Sequence, residues 1–295
     1  MRRILVLRGG ALGDFIVTLP ALGLLRERWP EARVELAGNA RAAQLALNRG
    51  LIDAAHSQHE ARWSALFGDD ALPAAFASWL GEFDLIVNYW PDLDGALRKK
   101  FPLRDGQIFL TAPAMPAITP AAAHYCEPQR TLGIEPRGYF FPLGQRRVDD
   151  ATPDRIAIHP GSGSPRKNWP VERWLELIAR VDAPILLIVG EAEVERWDPL
   201  SAAGLGSHVR LAANLPLENL VSEFARCRLF LGHDSGISHL AAACGVPSLL
   251  LFGPTDPAMW APPAPHVRVL RHGPDLNSIS VRDVLQEMKV FTPRT

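Results

Sequence analysis

Several things are scarce in this chain, and each scarcity excludes something. There are three cysteines, Cys126, Cys227 and Cys244. Their odd number and irregular spacing exclude a disulfide framework and a cysteine metal site, leaving buried reduced thiols as the expectation. No run approaches the ~20 uncharged apolar residues of a membrane-spanning helix. Arg2 and Arg3 precede apolar residues, but Arg8 and Asp14 break that run. No small-residue cleavage pattern follows, so a secretory signal is not expected. Charge of neither sign dominates: 31 Lys and Arg face 32 Asp and Glu. A nucleic-acid partner is therefore not expected. Internal repeats are lacking, and the Ala- and Pro-rich stretch at 112–123 reads as loop.

What is present is a long, balanced chain of 295 residues, 47% of them hydrophobic. That length suits two domains rather than one core. Short apolar runs alternate with helical patterns. Strands are expected at 4–7, 34–37, 84–89 and 108–111, with helices at 42–48, 72–83 and 122–132 and a helical face on Ile16, Leu19, Leu22 and Leu25. The alternation lapses over 135–153, which is rich in Pro, Gly and charge and reads as a linker. It resumes with strands at 155–159, 185–189, 229–232, 248–252 and 267–270, and helices at 171–181, 217–227, 236–244 and 281–290. Repeated strand–helix units predict parallel sheets with right-handed crossovers. The expected division is 1–145 and 146–295, with ligands at the carboxyl ends of the strands.

Four segments carry chemistry. Arg8-Gly9-Gly10-Ala11-Leu12-Gly13-Asp14 leaves a strand and opens a helix. With Arg at position 8 it is not the full dinucleotide fingerprint. Asp14 in a first helical turn is either a dipole partner or a general base for an acceptor hydroxyl. The segment 159–170, HPGSGSPRKNWP, offers free N–H groups, hydroxyls and two cations, which suits a diphosphate; a solvated loop is the plainer alternative. In 231–240, LGHDSGISHL, Ser235 and Gly236 begin a helix and His239 lies one turn on. There Asp234 is alternatively a simple N-cap and His239 a satisfied core residue. A nucleophile elbow is excluded because G-x-S-x-G spacing is missing. In 252–257, FGPTDP, Thr255 and Asp256 either meet a sugar or make an Asx turn.

Together these motifs resemble glycosyltransferase family 9, the ADP-heptose:lipopolysaccharide heptosyltransferases. The resemblance rests on GALGDFIVTLPAL at 10–22, HPGSGSPRKNWP at 159–170, HDSGISHLAAACGVP at 233–247 and LFGPTDP at 251–257. It implies an α/β GT-B fold, with two Rossmann-like parallel-sheet domains facing a central cleft. The first domain would bind acceptor and the second the nucleotide sugar, and the final helix is a candidate to pack back on the first domain. It implies an inverting transfer of heptose from ADP-heptose to a glycan or lipid-linked acceptor, without metal or other cofactor. Asp14 then corresponds to the base and Lys167 to the cation on the departing diphosphate. Ser162, Gly163, Asp234, Ser235, Gly236 and His239 align with donor contacts. Leu215 falls in the stretch that packs on adenine, and Glu193 in the region of the acid that holds the ribose.

Between 50 and 130 the match is thin. Arg98, Lys99 and Lys100 form its one cationic cluster, either an acceptor-phosphate site or a solvated helix end. The expected protein is a cytoplasmic monomer, in peripheral contact with the inner membrane face where its acceptor is lipid-linked. A transferase using another nucleotide sugar and a non-catalytic nucleotide-binding protein are the competing readings. A Rossmann dehydrogenase is disfavoured because Glu35 lies inside the second strand pattern rather than closing it.

Overall fold

A computed structural model of the chain describes residues 1–144, 154–190, 193 and 205–291. Part of the expected linker, 145–153, lies outside them. The chain divides into two compact units, Met1–Phe141 and Pro142–Thr295.

The first unit carries strands β1 (Arg3–Arg8), β2 (Arg33–Gly38), β3 (Ala54–Ser57), β4 (Leu85–Asn88) and β5 (Ile108–Thr111). They pair in parallel in the order β3-β2-β1-β4-β5. Between them run α1 (Leu12–Arg28), α2 (Ala40–Leu47), α3 (Ala74–Leu80) and α4 (Ala96–Lys100), with α5 (Ala121–Arg130) after β5. β1 is buried at five consecutive residues, as a central parallel strand covered on both faces must be. α1 buries a continuous run from Phe15 to Leu22 and packs on α5 and α2. Trp63, Phe76, Leu80, Phe83 and Trp90 fill the other face of the sheet.

The sheet buries a carboxylate on β2 as well as Arg8 at the end of β1. Glu35 on β2 is 2% exposed, and its carboxylate meets Arg3 at 2.7 Å, Arg33 at 3.0 Å and His56 at 2.8 Å. Burial alone would raise its pKa. The hydrogen bonds from His56, Arg3 and Arg33 outweigh it and hold the carboxyl at about 2.

The second unit repeats the plan with six parallel strands, ordered β11-β10-β9-β6-β7-β8. These are β6 (Arg155–His159), β7 (Ile185–Val189), β8 (Val209–Ala213), β9 (Cys227–His233), β10 (Ser248–Leu251) and β11 (Val267–Leu270). The helices are α6 (Val171–Arg180), α7 (Leu217–Phe224), α8 (Gly236–Ala243), the short α9 (Pro257–Trp260) and α10 (Val281–Met288). α6 buries Trp174, Leu177 and Ile178 against β6 and β7 residues such as Ile158 and Leu187. Burying side chains of this size stabilises the fold by about 1.5–3 kcal/mol each.

The sheet orders create one switch point per unit. The chain runs from β1 outward to β3 and then returns to β4 on the other side of β1. It likewise runs from β6 to β8 and returns to β9 on the other side of β6. Strand neighbours whose connections diverge leave a crevice at their carboxyl ends, where α/β proteins take ligands. Among the described residues no helix is long and apolar enough to cross a membrane.

Candidate functional site

In the first unit, the loop from β1 to α1 holds Asp14 by both oxygens. Oδ2 accepts from the Ala11 backbone N–H at 2.9 Å, and Oδ1 meets Arg8 Nη2 at 3.1 Å. The carboxylate therefore satisfies an orphan donor at the helix start and also carries a paired charge. Arg8 is 5% exposed, donates from Nε to Thr18 Oγ1 at 2.9 Å, and lies over the Tyr125 ring at 4.4 Å. From sequence it only interrupts an apolar run and spoils a dinucleotide fingerprint; the fold uses it to fix Asp14. Gly10 has φ +107°, and a Cβ there would stand 2.5 Å from Asp14 Oδ2, so only glycine lets the chain turn over this carboxylate.

In the second unit three of the four motifs leave three adjacent strands. The 159–170 loop follows β6, Asp234 follows β9, and 252–257 follows β10, the three strands lying side by side as β10-β9-β6. Lys167 Nζ meets Asp234 Oδ2 at 3.1 Å, bridging the first two loops across the switch point. Ser162 donates to Asn168 Oδ1 at 2.6 Å and accepts from the Ser164 N–H at 3.2 Å, so its hydroxyl shapes the loop. Gly163 is exposed and a Cβ there would meet nothing.

Ser235, not Asp234, caps α8: its Oγ accepts from the Ser238 N–H at 3.2 Å. That leaves Asp234 to pair with Lys167. Gly236 opens the helix with its first-turn N–H groups, and His239 is buried one turn on. Asp256 takes the turn role, capping α9 by accepting from the Ala258 N–H at 3.0 Å.

Glu193 comes to the same edge. Its carboxylate accepts from the Gly190 N–H at 2.9 Å and lies so close to Gly161 that a Cβ there would stand 2.3 Å from it. Leu215 is half-exposed beside Asn214, which holds φ +50°. A recess of ≈ 500 Å³ lies beside this edge, with Arg166, Asn168, Trp169, Pro254 and Asp275 on its walls.

Two buried histidines brace the loops. His233 Nε2 accepts from the Trp169 N–H at 2.8 Å and is fully buried, while His159 bonds the Ile188 carbonyl at 3.0 Å. Burial, reinforced by His159 alongside, pushes His233 down to about 3, and burial lowers His159 as well. Both rings stay neutral at neutral pH, and for His233 the bond from Trp169 requires an unprotonated Nε2. This bracing is absent from the sequence reading; a His ending a buried strand was its only signal. Among the described residues no three His, Cys, Asp or Glu side chains gather as a metal-ion site.

The remaining candidates lie elsewhere. Arg98, Lys99 and Lys100 end α4, where Arg98 donates to the Phe109 carbonyl at 2.9 Å and Lys100 to the Asp70 carbonyl at 2.9 Å, while Lys99 is exposed. Two of the three cations thus hold backbone carbonyls of their own unit.

Comparison with known proteins adds a family. A family model for glycosyltransferase family 9 (heptosyltransferase) matches residues 139–288. Lipopolysaccharide heptosyltransferase 1 of Salmonella typhimurium is 25% identical over 87% of this chain and 90% of its own length. Among solved structures, a glycosyl transferase family 9 protein from Veillonella parvula superposes with TM-score 0.78 at 20% identity, over 98% of this chain and 97% of its own. Escherichia coli heptosyltransferase WaaC with ADP gives TM-score 0.74 at 21% identity, over 98% of this chain and 100% of its own. These structural likenesses carry the fold, two parallel-sheet α/β domains of GT-B type.

Proposed function

This chain belongs to glycosyltransferase family 9, and we propose that it transfers heptose from ADP-heptose, with inversion and without metal, to a hydroxyl of the lipopolysaccharide inner core. The observation that carries the reading is the Lys167–Asp234 bridge at 3.1 Å, set between two strand-end loops and beside the start of α8. Cation, loop N–H groups and helix N-terminus converge there, which is what a nucleotide diphosphate needs. The relatives' heptosyltransferase names, and the ADP bound to one of them, point to the donor.

In the proposed reaction the acceptor hydroxyl oxygen bonds to the anomeric carbon of the donor. The bond from that carbon to the diphosphate oxygen breaks, and its electron pair stays with the diphosphate. Lys167 and the α8 N-terminus stabilise the charge that develops there. The acceptor proton passes to Asp14, whose pairing with Arg8 and Ala11 keeps the carboxylate oriented. Glu193 and Leu215 are assigned to ribose and adenine. A lipid-linked acceptor puts the work in the cytoplasm, at the inner face of the membrane.

Calorimetric titration with ADP, UDP and GDP, without added metal, tests the donor. Selective ADP binding is expected. Preference for UDP or GDP keeps the reaction class and removes the heptose donor; no nucleotide binding leaves the transferase reading without support.

A further inference from the structure

The first unit has a recess that the assignments above leave unused. It measures ≈ 490 Å³, and its walls include Gly9, Gln58, His59, Trp63, Phe67 and Trp90. Gly9 follows β1 and Trp90 follows β4, the two neighbours whose connections diverge. The recess therefore sits at this unit's switch point, where a ligand is expected. Through Gly9 it also borders the turn that holds Asp14. Gln58 Oε1 accepts from the Gly10 N–H at 3.2 Å, and the next N–H, that of Ala11, donates to Asp14 at 2.9 Å.

The walls define the ligand's chemistry. Phe67 is 59% exposed, with its ring tilted 36° to Trp90 at 6.1 Å. Trp90 stands edge-on to Trp63 at 5.3 Å, and Trp63 is locked by its N–H on the Ser57 carbonyl at 2.9 Å. An exposed ring is thus backed by two fixed ones. Polar groups flank it: the Gln58 amide, the His59 ring and Glu60. Among the described residues no lysine or arginine lines the recess, and Glu60 is paired with Arg62 at 2.8 Å. A phosphate or carboxylate would find no charge partner here. A sugar ring would find both of its requirements, a π-face for its C–H groups and hydrogen-bonding side chains for its hydroxyls.

We infer that this recess receives an uncharged sugar residue of the acceptor, stacked on Phe67 and Trp90 with its hydroxyls on Gln58 and His59. The inference rests on the transferase reading above. It gives acceptor recognition to an aromatic wall beside the turn that holds the base, in place of the Arg98–Lys100 cations.

Saturation-transfer NMR on the full chain tests it. The probes are a core oligosaccharide from lipopolysaccharide, deacylated and dephosphorylated, and its phosphorylated counterpart. Ring protons of the phosphate-free probe should be saturated by the wild type and bind about tenfold more weakly to Phe67→Ala, with binding retained in Phe67→Tyr. Phe67 is exposed, so the fold should survive, and unchanged ADP titration of the variant checks this. Equal saturation in wild type and Phe67→Ala, or saturation of the phosphorylated probe alone, overturns the inference. The saccharide measurement needs no nucleotide. A protein that fails to bind ADP refutes the donor reading separately, while ADP binding without saccharide contact refutes this inference alone.

Discussion

Lys167 and Asp234 face each other at 3.1 Å across the carboxyl edge of the second sheet, one from the loop after β6 and the other from the turn after β9. A diphosphate arriving there must draw the ammonium from the carboxylate or share it. Lys167→Ala should therefore weaken ADP binding by about tenfold or more, the worth of one charge-assisted contact. Calorimetry reads this directly, and unchanged ADP affinity would remove Lys167 from the phosphate site.

Asp14 does two things that substitutions can separate. Asp14→Asn keeps an oxygen for the Ala11 N–H but loses the charge facing Arg8 and the capacity to take a proton. Turnover should fall by about a hundredfold or more with ADP affinity nearly intact. Asp14→Ala should lower the melting temperature as well, because the Ala11 N–H and the buried Arg8 both lose their partner. If Asp14→Asn lowers stability as much as Asp14→Ala and leaves turnover intact, Asp14 is structural only.

Gly161 offers a finer test of the ribose assignment. A Cβ at this position would stand 2.3 Å from the Glu193 carboxyl and must displace it. Gly161→Ala should weaken ADP while leaving inorganic diphosphate binding close to wild type. Equal losses for both ligands would take Glu193 away from the ribose.

The buried histidines predict an acid sensitivity. His233 is lowered from 6.5 to about 3 on folding, so between those values the unfolded chain binds the proton and the native chain does not. Stability present above pH 6.5 is then lost as pH falls toward 3, at roughly 1.4 kcal/mol per pH unit for one such group. His159 is shifted the same way and steepens the loss. Glu35, lowered from 4.5 to about 2, adds its own loss only below pH 4.5. Urea unfolding at pH 7.0 and 5.5 measures the histidine contribution, and equal midpoints would contradict neutral buried rings.

Transfer should persist in excess EDTA, since the charge stabilisation proposed here comes from Lys167 and backbone N–H groups. Loss of activity on chelation, restored by a divalent ion, would replace that mechanism.

Strands were readable where they form short apolar runs, which burial on both faces of a sheet favours. The expected spans 108–111, 155–159, 185–189 and 267–270 coincide with β5, β6, β7 and β11. β3 and β8 are missing from the sequence reading; both are edge strands, but so are β5 and β11, so edge position alone does not hide a strand. Ala54–Ser57 is half-buried and holds no large apolar side chain, and Val209–Ala213 buries only Ala212. Helix ends shifted by a few residues, as at α3 and α7, where the last turns expected from periodicity are not helical.

By itself, the sequence determined the alternation of strands and helices, the strand-to-helix position of the first three motif loops and the family they resemble, because each is written in local spacing. Only the tertiary structure decided that Lys167 would meet Asp234, that Ser235 rather than Asp234 would cap α8, that Arg8 would grip Asp14, and that Phe67 and Trp90 would wall a recess beside its turn. Those pairings depend on which strands lie side by side in each sheet, and strand order is set by packing between segments far apart in the chain.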